Sequence, residues 1–212
     1  MSATICPTIT VLTDDTVEYR KQVERVAPFA VRMHIDLTDG HLAPTKSINP
    51  DEVWWPGGVR ADLHVMYERP FEHTNIFIDL GPQLIIVHAE AKGDFSLFAK
   101  KAHSRGVEVG VALEQHTSPE LIRPALDLID HILIFSGNLG HFGGHADLRL
   151  ITKVKHLLKL KPQLEIGWDG GINDTNAKAL AMSGVDVLNV GGFIQKSDNP
   201  ENAYLNLKKL VS

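Results

Sequence analysis

Short apolar segments alternate with longer segments of helical periodicity along the chain. This alternation is typical of repeated βα units that build a parallel sheet. Eight of the short segments are rich in β-branched residues and predict strands. They are Thr4–Val11, Arg32–Thr38, Ala61–Met66, Leu84–His88, Glu108–Leu113, His131–Phe135, Leu164–Trp168 and Asp186–Val190.

Five segments between these strands and one after the last strand predict helices. Several begin next to a residue suited to an N-cap, such as Asp14, Ser118 or Asp174. Residues 49–58 contain two prolines and a glycine pair, which disfavours a full helix there, and residues 70–80 leave room for only a short one. The predicted helices are Asp15–Val26, Phe95–His103, Pro119–Ile129, Ala146–Leu160, Thr175–Met182 and Glu201–Leu210.

Eight strands joined mostly by helices favour a closed (β/α)8 barrel, the TIM barrel, over an open doubly wound sheet. The first strand is not followed by Gly-x-Gly-x-x-Gly, which argues against a dinucleotide-binding sheet. Barrels of this kind often exceed ~200 residues as one unit. We therefore expect an α/β fold in which residues 1–212 form a single TIM-barrel catalytic domain.

The composition of the chain limits the kinds of partner and the cellular compartment that we expect. Of the 212 residues, 43% are hydrophobic and 22% are charged, and the net charge is -5. No basic run exceeds a Lys-Lys pair, so we expect no nucleic acid and no membrane as partner, although backbone N–H groups could bind an anionic small molecule. Cys6 is the only cysteine, which excludes an intrachain disulfide. Met1–Leu12 has no signal-like pattern, and no apolar stretch approaches a membrane span, so we expect a cytoplasmic protein.

Ionisable residues stand at the ends of three predicted strands. His34 and Asp36 share one face of the second strand, His64 lies in the third, and Asp169 directly follows the seventh. Active sites of barrels form at the carboxyl ends of the strands, so the four side chains are expected to converge. Two imidazoles and two carboxylates suit one divalent Zn, Fe, Mn or Co ion. The alternative is that the histidines are hydrogen-bonded in the core and the aspartates cap loops.

Glycines cluster after the last three predicted strands. Loops at these places often bind phosphate through backbone N–H groups, and glycine lets the backbone approach a ligand closely. A phosphorylated substrate is therefore expected, with turn glycines of positive φ as the alternative. The glycines are Gly140, Gly143 and Gly144 after the sixth strand, Gly170 and Gly171 after the seventh, and Gly191 and Gly192 after the eighth.

Four motifs between Thr4 and Leu210 resemble those of the ribulose-phosphate 3-epimerase family, and His88-Ala89-Glu90 is similar to the family's strand-four ending. The four are Cys6-Pro7-Thr8-Ile9, His34-Ile35-Asp36-Leu37-Thr38-Asp39-Gly40-His41 with Pro44, Asp62-Leu63-His64-Val65-Met66 with Pro70, and Trp168-Asp169-Gly170-Gly171-Ile172-Asn173.

The resemblance implies a function and a role for each matching residue. It makes His34, Asp36, His64 and Asp169 the metal ligands, with Asp36 and Asp169 also the proton-transfer pair. It implies a homo-oligomer and a place in carbohydrate metabolism, in the pentose phosphate pathway. The implied substrate contacts are Thr8, which stands where the family usually has serine, Met66, Asn138 and the seven glycines named above.

Departures from the family pattern concentrate around the predicted pocket. The loop after the sixth strand lacks the usual proline after Asn138 and carries an extra residue near His141. His141 and His145 could contact phosphate, although loop histidines are more often solvated. The other departures are Thr38 and Phe135 in place of methionines, Thr45 in place of asparagine, and Gly191-Gly192 in place of Gly-Ser.

The expected activity is a metal-dependent epimerase that inverts C3 of ribulose 5-phosphate or of a related ketose phosphate such as a hexulose 6-phosphate. Inversion next to a ketone needs one carboxylate on each face, and a metal stabilises the enediolate. Related barrels decarboxylate with a strand-three lysine, where this chain has His64. Two alternatives stay open, a metal-dependent hydrolase and a sugar-phosphate-binding barrel without turnover. Trp54-Trp55 could pack against a second subunit or fill the core.

Overall fold

Eight parallel strands close a barrel in chain order, and β8 pairs with β1. The computed structural model describes residues 2–10, 12–141 and 143–212. The closed sheet confirms the predicted TIM-barrel fold and excludes the open doubly wound sheet. The strands are β1 Thr4–Ile9, β2 Arg32–Thr38, β3 Arg60–Met66, β4 Leu84–His88, β5 Glu108–Leu113, β6 His131–Phe135, β7 Glu165–Asp169 and β8 Val187–Val190.

Each predicted strand has a counterpart, with small shifts at the ends. The predicted end of the first strand, Val11, lies outside the described residues, and β1 ends at Ile9. Strand β7 includes Asp169, which the sequence had placed just beyond the strand. This shift matters because it places the Asp169 carboxylate on the rigid barrel rather than on a loop.

Seven α-helices and four 3-10 helices occur in the described part of the chain. The α-helices are α1 Thr16–Val26, α2 Thr74–Asp79, α3 Phe95–Ser104, α4 Ile151–Leu160, α5 Ala177–Met182, α6 Gly192–Gln195 and α7 Pro200–Val211. The 3-10 helices are Pro50–Glu52, Pro70–His73, Pro119–Leu128 and Leu148–Leu150.

Two predicted helices need correction. The sequence predicts an α-helix over Pro119–Ile129, but Pro119–Leu128 is a 3-10 helix, and Pro124 in its interior cannot donate an α-helical hydrogen bond. The helix predicted from Ala146 begins later, with the 3-10 turn Leu148–Leu150 that leads into α4. The short helix α6 was not predicted.

The N-caps also differ from the prediction at two of three positions. Helix α1 is capped by Asp15, whose carboxylate accepts hydrogen bonds from two backbone N–H groups of the first turn, rather than by Asp14. Ser118 caps its helix as predicted. Helix α5 follows Asn176 rather than Asp174. Neighbouring polar residues compete for a cap, and only the backbone geometry selects among them.

The two faces of each strand divide the core into an outer and an inner part. Outward-facing residues such as Ile35, Leu63 and Ile85 pack beneath the helices in one large cluster. A separate inner cluster of four residues fills the middle of the barrel: Leu84, Ile86, Ala112 and Leu133. This alternation, with a period of two, leaves the remaining inward positions at both barrel ends to polar side chains.

A charged network closes the amino-terminal end of the barrel. Arg32 Nε donates to Asp62 Oδ2 at 2.6 Å, and its two terminal nitrogens each donate to Glu165 at 2.9 Å. His131 Nδ1 lies 2.7 Å from Glu165 Oε2. Gly167 leaves room for this ring, since a Cβ there would sit 2.5 Å from His131 Nε2. These polar residues form a hydrogen-bonded floor at the barrel end opposite the predicted site.

Trp54 makes its contacts within the chain. Its carbonyl accepts a hydrogen bond from Tyr19 Oη at 2.7 Å, and the Arg20 guanidinium lies 5.2 Å from its ring centre. Both Trp54 and Trp55 are partly buried against the core. These contacts favour the core-filling alternative, and the homo-oligomer stays a prediction. Among the described residues, no helix has both the length and the apolar character needed to cross a membrane.

The floor network predicts a large stability loss when its cation is removed. Arg32→Met should lower the free energy of unfolding by about 3–5 kcal/mol, because it leaves the buried Asp62 carboxylate unpaired. Urea unfolding followed by circular dichroism measures the change. As a control, Arg105→Met removes an exposed ion pair with Asp79 and should leave the midpoint nearly unchanged. Equal effects of the two substitutions would contradict this account.

Candidate metal and substrate site

Four ionisable side chains meet at the carboxyl end of the barrel. His34 and Asp36 come from β2, His64 comes from β3, and Asp169 ends β7. The register of β2 and β3 sets Asp36 directly opposite His64. One potential ligand atom of each residue lies within 4.8 Å of the other three. The structure thus brings together all four residues that the sequence predicted as metal ligands.

Asp36 lies at the centre of these contacts. Its Oδ1 is 3.0 Å from His64 Nδ1 and 3.3 Å from His34 Nε2. Its Oδ2 accepts a hydrogen bond from Thr10 Oγ1 at 2.7 Å. Both imidazole nitrogens are also 3.9 Å from Asp169 Oδ2. The imidazole side chains are fully buried, while the two carboxylates retain some exposure, so only the carboxylates face the space where a substrate would bind.

The two carboxylates have opposite pKa shifts. Burial and the neighbouring Asp36 charge raise the pKa of Asp169 to about 7. Burial alone would also raise the pKa of Asp36, but interactions with His34 and His64 outweigh it and hold that pKa well below its usual range. Burial lowers the pKa of His64 to about 3, which keeps the ring neutral. The pair therefore consists of one ionised carboxylate and one that exchanges its proton near neutral pH.

The donor set fits a divalent cation. Two imidazoles and two carboxylates form the mixed nitrogen and oxygen set that zinc and other first-row metals accept. Both ring nitrogens of His34 are buried without a hydrogen-bond partner, which is costly unless another group engages them. A cation between the four side chains would engage His34 Nε2 and balance the carboxylate charge.

A cavity of about 300 Å³ opens above the two carboxylates. Asp36 and Asp169 line it, whereas His34 and His64 lie beneath its surface. All ten predicted substrate-binding residues line this cavity as well: Thr8, Met66, Asn138, Gly140, Gly143, Gly144, Gly170, Gly171, Gly191 and Gly192. His141 lines the cavity, with Nδ1 2.9 Å from the Leu139 carbonyl oxygen. His145 is not among the lining residues.

Three of these glycines have a packing role. Gly140 has a φ of +69°, and a Cβ there would come within 2.7 Å of Pro44 Cδ. Gly170 has a φ of +103° and lies against the backbone of Ser136 and Gly137. Gly171 has a φ of +73° and lies against the backbone of His145 and Ala146. Packing and backbone conformation thus account for these three, as the turn-glycine alternative expected. Gly191 differs, since a Cβ there would meet Thr8 only at an ordinary 3.6 Å.

Several cavity residues were missed by the sequence reasoning. Thr10 and Asn189 come from strand ends, and Asn173 comes from the loop after β7. Phe193 lies in helix α6, and Lys196 lies at the C-terminal end of that helix. The signal for Thr10 was its place two residues after Thr8, which puts both side chains on one face. Asn189 was visible as a polar residue within the apolar strand β8. Loop positions carry no comparable periodicity.

The protein is a closed α/β barrel, and four residues at the carboxyl end of its strands could hold a metal ion. The model of the ribulose-phosphate 3 epimerase family matches residues 5–194, and the chain belongs to this family. Membership confirms the resemblance drawn from the four motifs, and with it the prediction of an enzyme similar to ribulose-phosphate 3-epimerase.

Individual relatives agree with this assignment. A ribulose-phosphate 3-epimerase of Helicobacter pylori strain J99 is 32% identical over 94% of this chain and 94% of its own length. That of Bacillus subtilis is 30% identical over 83% and 85%. Among solved structures, the 3-hexulose-6-phosphate synthase from Salmonella typhimurium superposes with a TM-score of 0.70 at 17% identity, covering 100% of this chain and 98% of that one. This last similarity shows the shared fold alone.

The site predicts cation binding that depends on His34 and on pH. His34→Gln should weaken cobalt or zinc binding on the order of 100-fold or more, since even outer-shell partners change affinity 10- to 100-fold. Affinity should also fall as the pH drops from about 8 to about 6, because a proton on Asp169 competes with the cation. Titration calorimetry measures both effects.

A histidine outside the site provides the control. His156 is exposed and lies beside Glu120, so His156→Gln should bind the cation as the wild type does. Unchanged affinity in His34→Gln, or affinity independent of pH, would remove the four residues from the proposed ligand set.

Proposed function

We propose that the protein is a metal-dependent epimerase that inverts C3 of a ketose phosphate, with ribulose 5-phosphate and xylulose 5-phosphate or a related pair as substrates. The observation that carries the proposal is the pair of carboxylates, Asp36 and Asp169, which line one cavity and approach each other within 4.8 Å. Its relatives named ribulose-phosphate 3-epimerase support the substrate class.

The reaction needs two proton-transfer groups in different protonation states. The C3 proton is acidic because it lies next to the ketone, and inversion requires one group to remove it while the other delivers a proton to the opposite face. The ionised Asp36 is suited to accept a proton. Asp169, the other carboxylate that lines the cavity, is placed to deliver one. In the reverse direction the two residues exchange these roles.

The remaining polar groups orient the carboxylates and the substrate. Thr10 Oγ1 donates to Asp36 Oδ2, which leaves the other oxygen toward the imidazoles. His34, Asp36, His64 and Asp169 would hold the cation. A bound divalent ion would stabilise the negative charge that develops on the enediolate oxygens. Burial keeps bulk water from these groups, which strengthens each electrostatic contact.

The phosphate group is assigned to the loops after β7 and β8. These loops contain Gly170–Gly171 and Gly191–Gly192, and both line the same cavity. Barrels frequently bind phosphate at this position through backbone N–H groups. Gly191 is free of close packing, so its backbone is open to a ligand. We also propose that the protein acts in the cytoplasm as one catalytic domain.

A deuterium experiment tests the reaction. Metal-loaded protein incubated in D₂O with a panel of ketose phosphates should incorporate deuterium at C3 of the true substrate, as seen by NMR. Asp36→Asn and Asp169→Asn should each reduce inversion by about 10²- to 10⁴-fold, because each removes one of the two proton-transfer groups. His156→Gln should retain wild-type turnover.

The same experiment separates the remaining alternatives. Undiminished inversion at C3 in either aspartate variant would remove that residue from its role. Release of inorganic phosphate without isotope uptake would instead indicate a metal-dependent hydrolase. Calorimetric binding of a ketose phosphate with neither reaction would indicate a barrel that binds its ligand without turnover.

A further inference from the structure

A row of side chains leads from His64 away from the cavity. His64 Nε2 lies 2.9 Å from His88 Nε2, and the two rings stack with centres 5.0 Å apart. On the far side of its ring, His88 Nδ1 lies 3.6 Å from Glu90 Oε2 and 3.9 Å from Glu114 Oε1. The His88 side chain is fully buried, and both its Nδ1 and Glu90 Oε2 lack a hydrogen-bond partner. Neither His88 nor the two glutamates are used by the reaction described above.

Counting protons along this row determines the tautomer of each ring. His64 presents Nδ1 to the candidate cation site, so a neutral ring that binds a cation there carries its proton on Nε2. Two nitrogens 2.9 Å apart share a single proton, so His88 Nε2 must accept it. His88 then carries its own proton on Nδ1, which is the atom that faces the two glutamates.

We propose that His88 and Glu90 are positioning residues that hold His64 in the Nε2–H tautomer and so keep its Nδ1 lone pair directed at the metal. The proposal rests on the metal site of the proposed function. A metal-bound histidine commonly donates its other N–H to a neighbouring acceptor, which fixes the ring and raises its basicity as a ligand. Here the acceptor is a second imidazole with a carboxylate behind it.

Glu90 is already oriented for this role. Its Oε1 accepts a hydrogen bond from Thr117 Oγ1, which leaves Oε2 toward His88. The segment that carries Thr117 is held by Lys153, whose Nζ donates to the carbonyl oxygens of Glu114 and Thr117 at 2.6 and 2.7 Å. An N–H···O hydrogen bond is ordinarily about 2.7–3.2 Å long, so a shift of roughly half an ångström completes the contact from His88 to Glu90.

The same proton count excludes a second cation at His88, Glu90 and Glu114 while the first site is filled. These three residues form a cluster of potential ligands. A cation bound to His88 Nδ1 would move the His88 proton to Nε2. Two Nε2–H groups would then face each other at 2.9 Å, which no hydrogen bond permits. The protein should therefore bind one cation per chain.

The test measures metal affinity and tautomer rather than turnover. His88→Leu should weaken zinc binding about 10- to 100-fold, whereas His88→Gln keeps an acceptor for His64 Nε2–H and should recover at least part of this loss. Glu90→Gln should weaken binding about tenfold. Glu114→Gln is the matched control and should bind within about twofold of wild type, because Glu114 lies farther from His88.

Nitrogen-15 NMR of the zinc-loaded wild-type protein reads the tautomers directly and needs no variant to fold. The expected result is His64 protonated on Nε2 and His88 protonated on Nδ1. Zinc-loaded protein with a proton on His64 Nδ1, or two bound cations of which one is lost in Glu114→Gln, would overturn the proposal. If the tautomers are as expected and no ketose phosphate is epimerised, the proposed function fails while the positioning role stands.

A separate observation concerns Asn189, a buried residue that lines the cavity at the carboxyl end of the barrel. Asn189 lies on β8 between Cys6 of β1 and Asp169 of β7, and its side chain is buried. Both its amide nitrogen and its amide oxygen lack a partner, yet the residue lines the cavity. Burying an unsatisfied amide destabilises a fold. We infer that Asn189 is a specificity-determining residue that donates to, and accepts from, hydroxyl groups of the substrate.

The role of Asn189 is tested by measuring two effects of one substitution, its effect on stability and its effect on turnover. Asn189→Leu should leave the urea midpoint unchanged or raise it, and should lower kcat/KM for D-ribulose 5-phosphate at least tenfold. Asn176 is the matched control, because its amide donates to the Gly171 carbonyl oxygen and accepts from Asn173 N–H, so Asn176→Leu should lower the midpoint. A less stable Asn189→Leu protein, or one that binds and converts D-ribulose 5-phosphate as the wild type does, overturns the inference. The stability readout is independent of turnover, so it separates this failure from failure of the proposed function.

Discussion

The burial of two carboxylates beside two imidazoles at one end of the barrel determines most of what this protein can do. Two carboxylates this close and this buried are costly to ionise together, because each charge opposes the other where little water screens them. The imidazoles favour the charge on Asp36, and so the proton stays on Asp169 up to about pH 7. A cation at the same place would relieve the repulsion by its own charge. The cavity, the loops and the row behind His64 all depend on this arrangement.

Inward-facing charged side chains at the two ends of the barrel have different partners. At the floor, Arg32 supplies a permanent cation that engages Asp62 and Glu165 in hydrogen bonds of 2.6 to 2.9 Å. At the mouth, Thr10 Oγ1 donates to Asp36 at 2.7 Å and the imidazoles lie 3.0 to 3.9 Å from the carboxylates. The ring nitrogens of His34 have no hydrogen-bond partner. The floor has a permanent cation within the chain, although Asp62 Oδ1 and His131 Nε2 lack a hydrogen-bond partner there. At the mouth, a bound cation would supply the positive charge that Arg32 supplies at the floor.

The proposed metal ligands and the rim of the cavity are built from different kinds of structure. The proposed ligands and the row from His64 to His88 lie on neighbouring strands, where paired backbones hold side chains to a fixed geometry. The cavity rim is built mainly from loops, and the departures from the family pattern noted in the sequence fall mostly there, around Asn138 and His141. Changes of substrate shape can therefore be accommodated at the rim without moving the proposed proton-transfer groups.

The sequence by itself determined the barrel, the strand faces and the four residues at its mouth, because these depend on a local period of two and on motifs that can be read along the chain. It did not determine that Pro119–Leu128 is a 3-10 helix, or which aspartate caps α1, since those outcomes depend on backbone packing. Only the tertiary structure placed His88 against His64, left Asn189 without a partner and gave the two carboxylates different pKa values. Each of these involves residues far apart in sequence, whose distances and burial are set when the sheet closes.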